Sequence, residues 1–151
     1  MSTEQFSHTF RVPAPAGPIY AHLSRPESYV GLSPLVVAVR DIRRTGDAVS
    51  YVAVERFRLG PLRWDNPIRV TMTFPVPDRR LVSDVHSPGR VRLVATVELV
   101  AEGGGTQVTE SVTVSFPRPL RSLVLSQARS VQRARARELV RRMTDASEPA
   151  Q

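Results

Sequence analysis

Residues 106–144 read TQVTESVTVSFPRPLRSLVLSQARSVQRARARELVRRMT, and the hydrophobic period changes in the middle of them. Up to Phe116 the chain alternates. Gln107, Thr109, Ser111, Thr113 and Ser115 are polar, while Val108, Val112, Val114 and Phe116 form the opposite row, as in a strand with one buried face. Beyond Pro119, a natural first-turn residue, the period lengthens. Leu120, Leu123, Val124, Ala128, Val131, Ala134, Leu139 and Met143 share one stripe at ~100° per residue, with Ser126, Arg129, Ser130, Arg133 and Arg137 opposite. The spacing predicts one amphipathic helix over 119–144, about 39 Å long at 1.5 Å per residue. One residue breaks the strand's apolar row: Glu110.

Working back from this junction, strand-like segments occupy 35–44, 48–59, 66–74, 80–87, 90–101 and 105–116. The links between them, TGD, GPLRWDNP, PVPD, SPG and EGGG, are turn-rich and too short for anything except antiparallel neighbours. The chain opens with another alternating stretch, FSHTFRV at 6–12, in which Phe6, His8, Phe10 and Val12 share a side. PAPAGP ends that strand. A short helix is expected over PIYAHL, with Pro18 in its first turn, and a second beginning near Pro26. The reading is a single domain over 1–146 with a frayed tail at 147–151.

A chain of 151 residues with 41% hydrophobic and 23% charged side chains has ordinary globular composition and room for one real core. With no cysteine it has no thiolate nucleophile, disulfide or Cys-based zinc site. The start of the chain lacks the basic-then-apolar order of a secretory signal, and the longest aliphatic run, LVVAV at 35–39, is far short of a span. The expected location is therefore the cytoplasm. All 21 basic residues are arginine and the net charge is +7. GC-rich codon bias explains arginine in place of lysine, while a positive field favours phosphate-bearing partners or anionic membrane surfaces.

FRVPAPAGPIYAHLSRPESYVGLSP at 10–34 resembles the opening of the START-related SRPBCC superfamily, which includes birch pollen allergen-like proteins and the polyketide cyclase/dehydrase and lipid transport family. The element order resembles it over nearly the whole chain. The resemblance implies an α+β helix-grip fold: a curved antiparallel sheet of about seven strands around a long C-terminal helix, two short helices after strand 1, and a cavity between the layers. These words describe the scaffold and contain no catalytic motif.

In such a fold the residues that interrupt the inner faces carry the information. Glu110 is one, and Glu55 interrupts the row Val49, Tyr51, Ala53, Phe57, Leu59. A buried carboxylate must be paired, protonated or wet. Burial among valines would raise the pKa of Glu110, and an arginine reaching across from the helix, such as Arg135, would lower it. Three roles fit Glu110: a structural ion pair, a polar anchor for a ligand, or a general acid/base. Gln127, Glu138 and Arg142 also project near the helix stripe. Tyr51, Phe57, Met72, Phe74, Val112, Phe116 and Val131 are candidate walls, and each is equally an ordinary core residue. Trp64 is placed in an irregular link, closing a corner or capping a cavity mouth.

Asp84 and His86 share a strand face without a nucleophile elbow and are expected to face solvent. His8, His22 and His86 lack metal-ligand spacing, so no metal or cofactor is assigned. The leading expectation is a pocket for a hydrophobic small molecule such as a lipid or polyketide. The alternatives are a polyketide aromatase/cyclase and a regulatory or nucleic-acid-associated protein. No aromatic interleaves with the helix arginines and no specific nucleic-acid module is present, which leaves a solvated face with, at most, weak contact to anionic membranes.

Overall fold

The computed structural model describes residues 1–147. Seven strands form one antiparallel sheet: β1 (Ser2–Val12), β2 (Val36–Thr45), β3 (Ala48–Leu59), β4 (Leu62–Val76), β5 (Arg80–Ser87), β6 (Val91–Glu102) and β7 (Gly105–Phe116). Their spatial order is β1-β7-β6-β5-β4-β3-β2, so β2 to β7 make the expected meander and β1 joins its far end beside β7. Helices α1 (Ala16–Leu23) and α2 (Tyr29–Leu32), separated by a 3-10 turn at Pro26–Ser28, connect β1 to β2. The 27-residue helix α3 (Arg121–Ser147) lies across the concave face. This is the helix-grip fold.

The side-chain period decides which face is which. On β7 Val108, Glu110, Val112, Val114 and Phe116 are buried, and the β6–β7 register sets Leu99 beside Val108, Ala95 beside Val112 and Leu93 beside Val114, so the apolar rows run continuously across strands. Fully buried Phe116 stabilises this layer by about 1.5–3 kcal/mol. Toward the other end of the strands Val12, Ile19, Leu23, Met72, Leu81, Leu99 and Met143 form a densely packed core. On the convex face Thr3, Ser7 and Thr9 pair hydroxyl to hydroxyl with Ser115, Ser111 and Thr109 at 3.0–3.1 Å.

Four boundaries differ from the sequence expectation, the first being that β1 begins at Ser2 rather than Phe6. Strand β4 begins at Leu62, so GPLRWDNP is mostly strand, turned at Gly60 with φ +59°. Pro67 is tolerated because β5 pairs with β4 only from Arg69 onward, leaving that stretch with β3 alone as partner. Helix α1 starts two residues early, with Pro15 as its N-cap. Helix α3 follows a 3-10 turn at Arg118–Leu120 and runs through Ser147, so Asp145 to Ser147 are helical. The rest of the expected frayed tail lies outside the described residues.

The gripped face of α3 is rotated from the predicted stripe. Gln132, Ala136, Leu139 and Met143 are buried, while Leu120 and Leu123 are exposed, Leu123 at 65%. Leu123 precedes Gln132 by nine positions, which at 100° each is half a turn away. Val124 and Leu125 instead pack on the Phe116 cluster.

Candidate functional site

Between α3 and the sheet lies a cavity of about 280 Å³, near the lower edge of the ~300–1,000 Å³ typical of small-molecule sites. Its walls come from the inward rows of β3 to β7, from the α2–β2 segment and from one flank of α3. Of the predicted site residues, Glu110, Glu55, Tyr51, Phe57, Val112, Val131 and Arg135 line it. Met72 and Phe74 do not. Met72 is fully buried, and Phe74 packs edge-on against Tyr20 with ring centroids 6.1 Å apart. Both sit on the correct face of β4, but α1 closes over that end and leaves no gap. Phe116 is likewise enclosed, under Val124 and Leu125.

The polar centre is built by β7 and α3. Arg135 Nη2 donates to Glu110 Oε1 at 2.5 Å, and its Nη1 donates to Ser33 Oγ at 3.2 Å. Gln132 Nε2 donates to the Glu110 carbonyl at 3.2 Å and to Oε1 at 3.3 Å. Burial works against the Arg135 charge, but the charge of the Glu110 carboxylate and its hydrogen bond hold the pKa above the ordinary arginine value. A guanidinium has five N–H donors, so this one keeps donors beyond the two bonds to Glu110 and Ser33.

Tyr29 and Tyr51 stack beside this centre with centroids 6.3 Å apart. Burial raises both phenol pKa values well above the ordinary one, keeping them neutral. Tyr29 donates to the Leu23 carbonyl at 2.6 Å. Tyr51 hydroxyl makes no hydrogen bond among the described residues and opens on the cavity.

Glu55 marks a second pole. Asn66 stands opposite it in the β3–β4 register and donates to Ser87 Oγ at 3.4 Å. Burial holds the Glu55 carboxyl above the ordinary glutamate value, against the opposing effects of a hydrogen bond from Asn66 and the charge of Arg135. No ion pair reaches Glu55 among the described residues.

Arg142 braces the α2 side of the cavity. It donates to the Ser28 carbonyl at 2.7 Å and the Val30 carbonyl at 3.0 Å, contacts His22 Nε2 at 3.2 Å and pairs with Glu138 at 3.1 Å. Burial first, then Arg142 and Arg25, lowers the His22 pKa, so its neutral ring accepts from Arg142. Gly31, at φ +81°, lets the chain pass this guanidinium; a Cβ there would lie 3.2 Å from Nη2.

Sequence reasoning missed Tyr29, Ser33, Asn66 and Gln132. Gln132 was findable, since Leu125, Ala128, Gln132, Ala136, Leu139 and Met143 recur at three- and four-residue steps. Tyr29 and Ser33 lie in a segment without a period. Trp64 is on β4, not in a link, and stacks on Phe57 at 5.6 Å. Asp84 and His86 lie on the convex face, 3.4 Å apart, with Arg92 on the same carboxylate at 2.8 Å; the Arg92 hydrogen bonds lower the Asp84 pKa. Among the described residues no cluster of His, Asp or Glu is placed to hold a metal ion, and no helix is long and apolar enough to cross a membrane.

The profile of the polyketide cyclase/dehydrase and lipid transport family matches residues 3–148. The chain belongs to this family. No curated protein matches the sequence. Among solved structures it is similar to the Zhui aromatase/cyclase from Streptomyces sp. R1128, with TM-score 0.83 and 13% identity over 97% of each chain. It also resembles a Thermus thermophilus protein, with TM-score 0.79 and 18% identity over 96% of this chain and all of that one. A START superfamily protein from Mycobacterium smegmatis gives 0.77 and 16%, covering 95% and 99%. At these identities the likeness is one of fold. Family membership and fold together make this a hydrophobic-ligand-binding scaffold.

Proposed function

We propose that this family member binds a neutral, oxygen-bearing hydrophobic molecule in the cavity between sheet and α3. The observation that carries the reading is the Glu110–Arg135 pair set in a largely apolar hollow whose other charged group is Glu55. Because Glu110 already balances the guanidinium, the spare N–H donors suit a carbonyl or hydroxyl better than a carboxylate, which would add uncompensated buried charge. Tyr51 supplies a further hydroxyl, and Glu55 at the second pole accepts from a ligand hydroxyl. The preferred ligand has an apolar body, a carbonyl at one end and a hydroxyl toward the other. Native mass spectrometry for a co-purifying molecule, followed by calorimetric titration of acetonaphthone against naphthoate, tests this. Tighter binding of naphthoate, or no bound molecule and no binding of either probe, would sink it.

A cyclase reading is favoured by one observation: Glu55, with its raised pKa and no ion-pair partner among the described residues, opens on the same cavity as Arg135. Such a carboxylate suits proton abstraction beside a carbonyl polarised by a guanidinium. Turnover of a linear poly-ketone thioester that disappears in Glu55→Gln, with acetonaphthone affinity retained, would support it. Unchanged turnover in that variant removes Glu55 from the chemistry.

A further inference from the structure

The two ends of the sheet differ in character. Antiparallel pairing places the β3–β4 turn, the β5–β6 turn and the start of α3 at one end, and the β2–β3, β4–β5 and β6–β7 turns at the other. The second end is closed by α1 and the packed core. Its β2–β3 and β4–β5 turns and the ends of β2 and β6 mix Asp47, Asp78 and Glu102 with Arg43, Arg44 and Arg79, so charge there is balanced. At the first end the cavity wall continues to the half-exposed side chains of Phe57, Ser87, Val91 and Val124.

That open end is apolar where a surface is ordinarily polar. Leu62 is 63% exposed, Trp64 49% and Leu123 65%. Leu62 and Trp64 belong to the concave row of β4, continuing Val70, Ile68 and Asn66 past the end of the cavity, while Arg58 and Arg63 occupy the convex row of the same hairpin. The hairpin tip therefore has one greasy side and one cationic side. Arg58, Arg63, Arg90 and Arg118 form no ion pair among the described residues. Nearby Asp65 and Glu4 are already taken by Arg56 and Arg121.

We infer that this end docks on an anionic lipid surface, with Leu62, Trp64 and Leu123 entering the headgroup–acyl boundary and those four arginines meeting lipid phosphates. Exposed indole and leucine side chains suit that boundary, arginine stems reach from it to the headgroups, and a positive rim is drawn to anionic leaflets. The placement also turns the cavity mouth toward the membrane. It does not depend on which molecule the cavity holds.

The test uses Trp64, the only tryptophan, as its reporter. Vesicles of phosphatidylcholine alone and of phosphatidylcholine mixed with phosphatidylglycerol are titrated into the protein, following emission wavelength and co-sedimentation. Blue-shifted emission and sedimentation are expected with the mixed vesicles. Arg58→Gln with Arg63→Gln should weaken partitioning by about tenfold or more. Leu62→Ser with Leu123→Ser should abolish the blue shift while the variant's far-ultraviolet circular dichroism and melting stay those of the parent. Sedimentation and blue shift unchanged in either double variant overturn the proposal. So does loss of binding in Arg129→Gln, Arg133→Gln, Arg137→Gln, which would place contact on the helix exterior. Absence of binding to mixed vesicles, with tight binding to an acidic carrier protein instead, overturns it in favour of a protein partner.

Discussion

Glu110 and Glu55 interrupt apolar rows on the same concave face and line the same cavity, yet they are held in opposite ways. Glu110 receives Arg135 and Gln132. Glu55 has Asn66 beside it and feels Arg135 only at a distance. A break in alternation therefore marks a carboxylate that turns inward, but its chemistry depends on what the facing helix delivers. One pole is an ion pair with spare donors; the other is a carboxyl with spare acceptor capacity.

The largest expected effect comes from removing the partner that distinguishes them. Arg135→Met leaves the Glu110 carboxylate buried without its cation and should lower unfolding free energy by ~3–5 kcal/mol in urea titration. Adding Glu110→Leu to that variant should recover most of the loss. A single variant within about 1 kcal/mol of the parent, the usual range of a surface change, would mean that the two carboxylates are not held differently after all.

Next in size is Glu110→Gln, which keeps the shape but replaces a charge-assisted bond by a neutral one. A loss of about 1–3 kcal/mol is expected, together with weaker acetonaphthone binding as Arg135 loses its fixed orientation. Stability lost with affinity intact would mark Glu110 as structural only.

Glu55→Gln sharpens the contrast from the other side. Because burial raises the Glu55 pKa in the folded state, folding favours its protonated form. Its ionisation costs stability as pH rises from the ordinary glutamate value of 4.5 through the raised one. The Gln variant should lack that decline and, at neutral pH, match or slightly exceed the parent, within about 1 kcal/mol. Melting profiles against pH check this, and a destabilised variant at neutral pH would contradict it.

The smallest effect belongs to a carboxylate with neither pole's burial. Hydrogen bonds from Arg141 first, and also from Arg142, lower the Glu138 pKa to about 2. Its contribution is present above the ordinary value of 4.5 and fades as pH falls toward about 2. Glu138→Gln should therefore lower the melting temperature slightly at neutral pH, the difference from the parent vanishing as pH falls toward about 2; a variant that melts with the parent at neutral pH and differs only in acid would refute the assignment.

Much of this was legible before any coordinates. Alternation identifies the strands and their inward rows, Glu110 and Glu55 included, because period 2 assigns side chains to faces without reference to anything distant. The lengthened period after Pro119 identifies α3 for the same local reason. Short turn-rich links restrict β2 to β7 to a meander. Two overlapping stripes of α3 fit the helical period, one through Leu123 and one through Gln132, and only tertiary structure decided between them, burying Gln132 and leaving Leu123 in solvent. It also decided that Met72 and Phe74 are core while Phe57 borders a hollow, and that Arg135 rather than Arg142 meets Glu110. Those outcomes depend on the separation of two layers and the rotation of one over the other, which residues far apart in the chain set together and no local period records.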